Sequence, residues 1–156
     1  MTFFTDSDYY TGPALTADAL VNAERVLGVR LPTAYAELLR ERNGGCPRRA
    51  CLAFSGAKGW APDHIRVQAI LGVGGRWGIE DNASMITEWG YPPIGVVICL
   101  TPSGGHDTIM LDYRGCGPQG EPAVVYIDDD RAVLNVAESF SQFLDKLVNC
   151  SVFSPP

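Results

Sequence analysis

Ser103, His106 and Asp107 share one short stretch, and these are the residue types of a nucleophile, its general base and the carboxylate that orients the base. The spacing argues against that chemistry. Groups this close in a tight turn can hardly form the required line, and no G-x-S-x-G elbow is present to expose the serine, so turn building is the better reading. Cys46, Cys51, His64, His106 and Cys116 are metal-ligand types, but they contain no C-x-x-C and no second pair to match Cys46 and Cys51. Neither a metal site nor a cofactor is expected. Gly72-Val73-Gly74-Gly75-Arg76-Trp77-Gly78 follows a strand-like segment, which makes a dinucleotide fingerprint worth testing. Its register puts Trp77 where the third glycine belongs, and no long helix follows to offer its N-terminus to a phosphate. The segment reads as a glycine-rich turn.

The chemistry left is recognition. Trp60, Trp77, Trp89, Tyr91 and Tyr113 include aromatics in glycine-flanked, loop-like places, and aromatics are enriched in interface hot spots; packing into the core or a lid is the competing fate. The acids Glu80, Asp81, Asp107, Asp112 and Glu121, with the run Asp128, Asp129 and Asp130, fall mostly in turns or at strand ends. The net charge of −6 hides an asymmetry: residues 1–78 carry 7 acids against 9 bases, and residues 79–156 carry 11 against 3. An acidic surface is repelled by phosphate backbones and attracts a basic protein. Direct nucleic-acid binding is therefore not expected, and these acids with Trp77 form the candidate partner surface. Solubility alone also accounts for acidity.

The elements that must position them are legible in part. Thr16 caps a predicted helix over Ala17–Leu27, with Asp18 in its first turn and Gly28 as its stop; Ala19, Leu20, Ala23, Val26 and Leu27 supply its apolar stripe. A second helix begins at Pro32, carries Tyr35, Leu38, Leu39 and Arg42 on one face, and ends at Asn43-Gly44-Gly45. Strand patterns follow at residues 51–54 and 65–71, a helical turn at 84–89, then strands at 94–100, 107–113 and 123–127 with a short return at 132–134. Val136, Phe140, Phe143, Leu144, Leu147 and Val148 recur at helical spacing, with Asn135 and Glu138 as a capping pair, and predict a terminal helix. Strands following strands, with no sustained βαβ alternation, predict an α+β fold: a mostly antiparallel central sheet, two N-terminal helices and one C-terminal helix. At 156 residues this is the size of one domain, its core about residues 14–150.

The segment from Ala23 to Tyr35, Ala-Glu-Arg-Val-Leu-Gly-Val-Arg-Leu-Pro-Thr-Ala-Tyr, followed by Leu38-Leu39 and Asn43-Gly44-Gly45, resembles the opening of the SUKH superfamily, the Smi/Knr-type proteins. Ile70-Leu71-Gly72-Val73-Gly74 is similar to that family's first long strand and glycine turn, residues 93–100 and 105–112 to its central hairpin, and residues 136–144 to its terminal helix. The likeness covers most of residues 17–148 and rests on order and spacing. It implies a compact α+β domain that binds proteins and is not an enzyme. In bacteria such a domain is mostly an immunity protein that neutralises a toxin, often a nuclease; among fungal relatives it is a regulator or adaptor. A basic toxin domain is the partner so implied. A small-ligand binder or enzyme using the 72–78 and 103–107 loops is the remaining alternative. The 72–78 segment and the 114–122 loop match no general family pattern.

The opening residues have neither a basic region nor an apolar stretch of signal-peptide type, and no run of about 18 apolar residues occurs. Secretion and membrane spanning are not expected. Five cysteines, Cys46, Cys51, Cys99, Cys116 and Cys150, form an odd, irregularly spaced set, which predicts free thiols in a reducing cytoplasm.

Overall fold

Thr16 opens the first helix, α1 (Ala17–Leu27): its hydroxyl accepts from the Ala19 N–H, and Gly28 closes the helix. Ala23 is buried, with Ala19, Leu20 and Leu27 packed against the core, whereas Val26 is 48% exposed and lies off the stripe. Helix α2 (Thr33–Glu41) follows Pro32 and buries Tyr35, Leu38 and Leu39. The computed structural model, to which all coordinates here belong, describes residues 2–56, 59 and 61–153; Trp60 lies outside the described residues.

The strands fall into two sheets. Strands β1 (Cys51–Ala53) and β2 (His64–Arg66) pair antiparallel with each other. Strands β3 (Ala69–Ile70), β4 (Gly95–Leu100), β5 (Thr108–Asp112), β6 (Ala123–Ile127) and β7 (Val133–Ala137) form an antiparallel meander in chain order. The single strand predicted over 65–71 is thus two strands in two sheets, parting at Val67 and Gln68. Between β3 and β4 lies α3 (Asn82–Trp89), entered through a 3-10 turn at Ile79–Asp81 and stopped at Gly90.

The terminal helix, α4 (Phe140–Lys146), starts later than its apolar spacing predicts. Val133 to Ala137 pair with β6 instead, and the cap is Ser139, whose hydroxyl accepts from the Gln142 N–H while the Gln142 side-chain oxygen accepts from the Glu138 N–H. This resembles a capping box one turn downstream of the predicted one, with the return bond made to the residue before the cap instead of to the cap itself. The α+β fold expected from the sequence stands: helices α1, α2 and α4 accompany a five-stranded antiparallel sheet around a core that includes Tyr35, Leu39, Phe140, Phe143, Ile98 and Met110.

The expectation of five free thiols fails at Cys51 and Cys150, which form a disulfide. The chain builds it by pairing: Cys51 and Val148 form an isolated antiparallel bridge, exchanging hydrogen bonds of 3.1 and 2.7 Å. Cys46, Cys99 and Cys116 remain thiols. No helix among the described residues is long and apolar enough to cross a membrane.

Four tyrosines are tied into this framework through their hydroxyls. Tyr35 donates to the Leu71 carbonyl, Tyr113 to the Arg30 carbonyl at 2.7 Å, Tyr91 to the Gly105 carbonyl at 2.7 Å, and Tyr126 to the Asp107 carboxylate. Burial pushes Tyr35, Tyr113 and Tyr126 well above the usual phenol range, Asp107 adding to the effect at Tyr126, and pushes Tyr91 up to about 12 against the opposing pull of Arg131. A phenol whose folded pKa is raised stabilises the fold fully below the unfolded value of about 10, and that contribution is lost as pH rises through the folded values. Alkaline titration followed by phenolate absorbance is expected to show these four silent up to about pH 11 and then ionising together with loss of circular dichroism. Smooth ionisation of all six tyrosines with the fold intact would contradict this account.

Candidate functional site

Asn43 sets the position of the 72–78 loop. Its side-chain amide donates to the carbonyls of Pro13 and Val73, both at 2.7 Å, and its side-chain oxygen accepts from the Val73 N–H at 2.8 Å. Gly72 is required there, since a Cβ would lie 2.4 Å from the Asn43 carbonyl oxygen. Glu80 braces the far side of the loop by accepting from the Gly74 N–H at 2.9 Å. The loop so held presents Trp77 half-buried, with the Arg76 guanidinium 5.1 Å from its ring centre and the Tyr10 ring at 5.2 Å.

Asn82 does the same for α3. Strand β3 pairs with β4 only at Cys99 and Leu100, which leaves the first half of β4 without a strand neighbour on that side. Asn82 acts in its place, donating to the Gly95 carbonyl at 2.8 Å and accepting from the Val97 N–H at 2.9 Å. At the other end of α3, Trp89 lies against Gly105, where a Cβ would sit 2.4 Å from the indole ring. Arg131 locks the corner, donating to the carbonyls of Trp89 at 2.6 Å and His106 at 2.5 Å while its guanidinium faces the Tyr91 ring at 4.9 Å.

Loop, helix and the β4–β5 turn enclose a cavity of about 370 Å³. Leu71, Val97 and Leu100 line it from the sheet, Trp77 from the loop, and Trp89 and Tyr91 from α3 and its exit. The 72–78 and 103–107 segments, singled out separately in the sequence, therefore meet at one place. Asp107 also lines the cavity, 3% exposed. One of its carboxylate oxygens accepts from the Thr101 and Ser103 hydroxyls, the latter at 2.5 Å, and the other accepts from Tyr126. His106 is exposed and contributes its backbone carbonyl to Arg131, so the nucleophile–base–carboxylate line is not formed. Among the described residues no three His, Cys, Asp or Glu side chains are grouped to hold a metal ion.

Glu80 being engaged with the 72–78 loop, the other acids read from the sequence separate into three groups. Asp107 and Asp128 are buried and build turns, Asp128 by accepting from the N–H groups of Asp130 and Ala132. They therefore offer no exposed partner surface. Asp81 is exposed at the cavity wall, and Asp129 and Asp130 are exposed on the β6–β7 turn beside Arg131. Asp112 and Glu121 lie at the opposite end of the sheet, where Asp112 pairs with Gly95 and Ala123. There Arg114 binds Asp112 through two nitrogens at 3.0 and 2.9 Å and holds its carboxyl below the usual range. Tyr10 and Arg131, which carry much of the geometry, were not among the residues singled out in the sequence. Neither follows a motif.

Residues 14–146, which carry two helices, a glycine turn and a five-stranded meander closed by a helix, match the family model for the SMI1 / KNR4 family (SUKH-1). The chain belongs to the SMI1 / KNR4 family. No curated protein matches it. The SUKH-1 match takes in the cavity's loop, helix and hairpin turn, whereas Tyr9, Tyr10 and the disulfide-bonded Cys150 lie beyond its ends.

Proposed function

We propose that this SUKH-1 chain works by stoichiometric binding of a basic protein, as an immunity protein that occludes a toxin, and that it catalyses no reaction. The carrying observation is the cavity that Trp77 and Trp89 line with Asp81 exposed at its wall, while Asp129 and Asp130 are exposed next to Arg131, whose guanidinium binds the Trp89 carbonyl. Carboxylates at a rim steer a basic partner and speed its arrival, and aromatics at the centre provide the buried contact. Ser103 and Asp107 build the β4–β5 turn, the serine hydroxyl donating to the Asp107 carboxylate.

A pull-down with the whole chain as bait, washed at low and high salt, tests the reading. One basic polypeptide lost at high salt is expected. With that polypeptide, the double charge reversal Asp81→Lys with Asp129→Lys should slow association about tenfold at low salt. Asp112→Lys with Glu121→Lys, at the end of the sheet far from Asp129 and outside the cavity lining, should change it less than about twofold. Equal effects of the two pairs would remove the assigned face, and capture of a regulatory protein of the same cell would redirect the reading to an adaptor.

A further inference from the structure

The cavity does not stand alone. A second recess of about 230 Å³ adjoins it, sharing Tyr10, Arg76 and Trp77 and walled elsewhere by Tyr9, Pro13 and Gly74. Trp77 is thus a ridge between two sockets. We propose that the pair receives one segment of the protein partner carrying two bulky apolar side chains, an aromatic one seated in the deeper socket. This inference rests on the protein-binding reading above and names what that face grips.

Size, lining and charge each select the occupant. A site of about 370 Å³ lies at the small end of the range for ligand sites, roughly 300–1,000 Å³, and has room for one ring-bearing side chain. Its floor is aliphatic and its walls are aromatic, the preferred surroundings of another ring. A cationic guest is disfavoured. Inside the cavity the one buried carboxylate is Asp107, Asp81 lying exposed at the wall, and two guanidinium groups stand at the site, Arg76 in its wall and Arg131 on Tyr91. Those guanidiniums already face the Trp77 and Tyr91 rings that a cation would use, and the Asp107 oxygens are taken by three hydroxyls. The socket is also ready-made: Gly105 and Arg131 fix Trp89, and Asn43 fixes the ridge, so docking need not order the walls. Tyr9, 64% exposed, and Trp89, 42% exposed, leave apolar surface at the outer edge of each recess for the segment to cover.

N-acetyl-L-tryptophan amide, N-acetyl-L-leucine amide and N-acetyl-L-arginine amide would be titrated into the intact protein. The indole N–H resonances of Trp77 and Trp89, assigned with Trp77→Phe and Trp89→Phe, report occupancy. Saturable shifts at both indoles are expected with the tryptophan amide, at a midpoint about tenfold below that of the arginine amide. Met85→Trp, which fills the deeper socket from α3, should abolish them; should that variant not fold, Trp89→Ala at an exposed position should weaken binding about tenfold. An arginine amide that binds as tightly as the tryptophan amide, or no saturable shift with any probe, overturns the proposal. With the polypeptide captured above, Trp89→Ala should raise the dissociation rate and leave the salt-dependent association rate unchanged. If neither rate moves while the charge reversals still act, the sockets are refuted and the protein-binding reading stands.

Discussion

Asn43→Ala is expected to lower the free energy of unfolding by about 3–5 kcal/mol, the largest loss from any single side chain near the candidate site. Asn43 is 3% exposed, and its amide makes three hydrogen bonds of 2.7–2.8 Å that join the N-terminal segment at Pro13 to the 72–78 loop at Val73. Alanine leaves two carbonyls and one N–H without partners, at about 1–3 kcal/mol for each buried group. Asn43→Asp should do no better, because a carboxylate facing the Pro13 and Val73 carbonyls replaces two donors with an acceptor. Urea denaturation measures the loss, and the Trp77 indole resonance should broaden in both variants as its loop loosens. A loss below about 1 kcal/mol would mean that the backbone contacts of Gly44 and Gly72 hold the loop without the side chain.

Why the fold was partly legible follows from where the information sits. Thr16, Gly28 and the Asn43-Gly44-Gly45 stop act within one turn of chain, and the structure places α1 and α2 where they say. The terminal helix misled because Val136 continues the helical spacing of Phe140, Phe143 and Leu147 while belonging to strand β7. Its fate is set by pairing with β6, a contact that single-residue spacing cannot register. Ser139 and Gln142 carried the true boundary, since both meet the capping-box pattern. Likewise the alternation over 65–71 is genuine, but which strand it pairs with depends on β1 and β4, far away in the chain.

The candidate site divides along the same line. Residue type was visible: acids in turns, and Trp77 between glycines. Burial was not, and burial decides what each acid does. Asp128 and Asp129 are neighbours, yet one is 4% exposed and ties the β6–β7 turn while the other faces solvent. Asp107 satisfies its charge inside the protein with hydroxyls from Thr101, Ser103 and Tyr126; the serine and threonine lie close by in sequence, but the tyrosine comes from another strand. Arg131 gave no local signal at all. It adopts φ 65°, rare for a residue with a side chain, and that turn brings its guanidinium to Trp89 and His106.

Breaking the Cys51–Cys150 disulfide is the other change expected to have a large effect, costing about 3–4 kcal/mol of stability. The bond closes a loop between residues 99 apart in sequence, and for a loop near 100 residues the chain-entropy argument gives about 4.7 kcal/mol through restriction of the unfolded state. Some of that is forfeited when the unfolded chain retains structure. The folded state itself should change little. Cys51 and Val148 keep their paired backbone hydrogen bonds, and Phe153 stacks on the His64 ring at 4.5 Å, so the C-terminal segment stays on β1 and β2 without the sulfur link. Reduction and the double variant Cys51→Ala with Cys150→Ala should therefore lower the urea midpoint alike and leave near-ultraviolet circular dichroism unchanged. Alkylation supplies the control. Burial pushes the Cys99 thiol far above the usual range, so iodoacetamide should spare it while the protein is folded, and the new reactivity after reduction should map to Cys51 and Cys150. An unaltered midpoint on reduction, with no new alkylation, would show that these two thiols are not joined in solution.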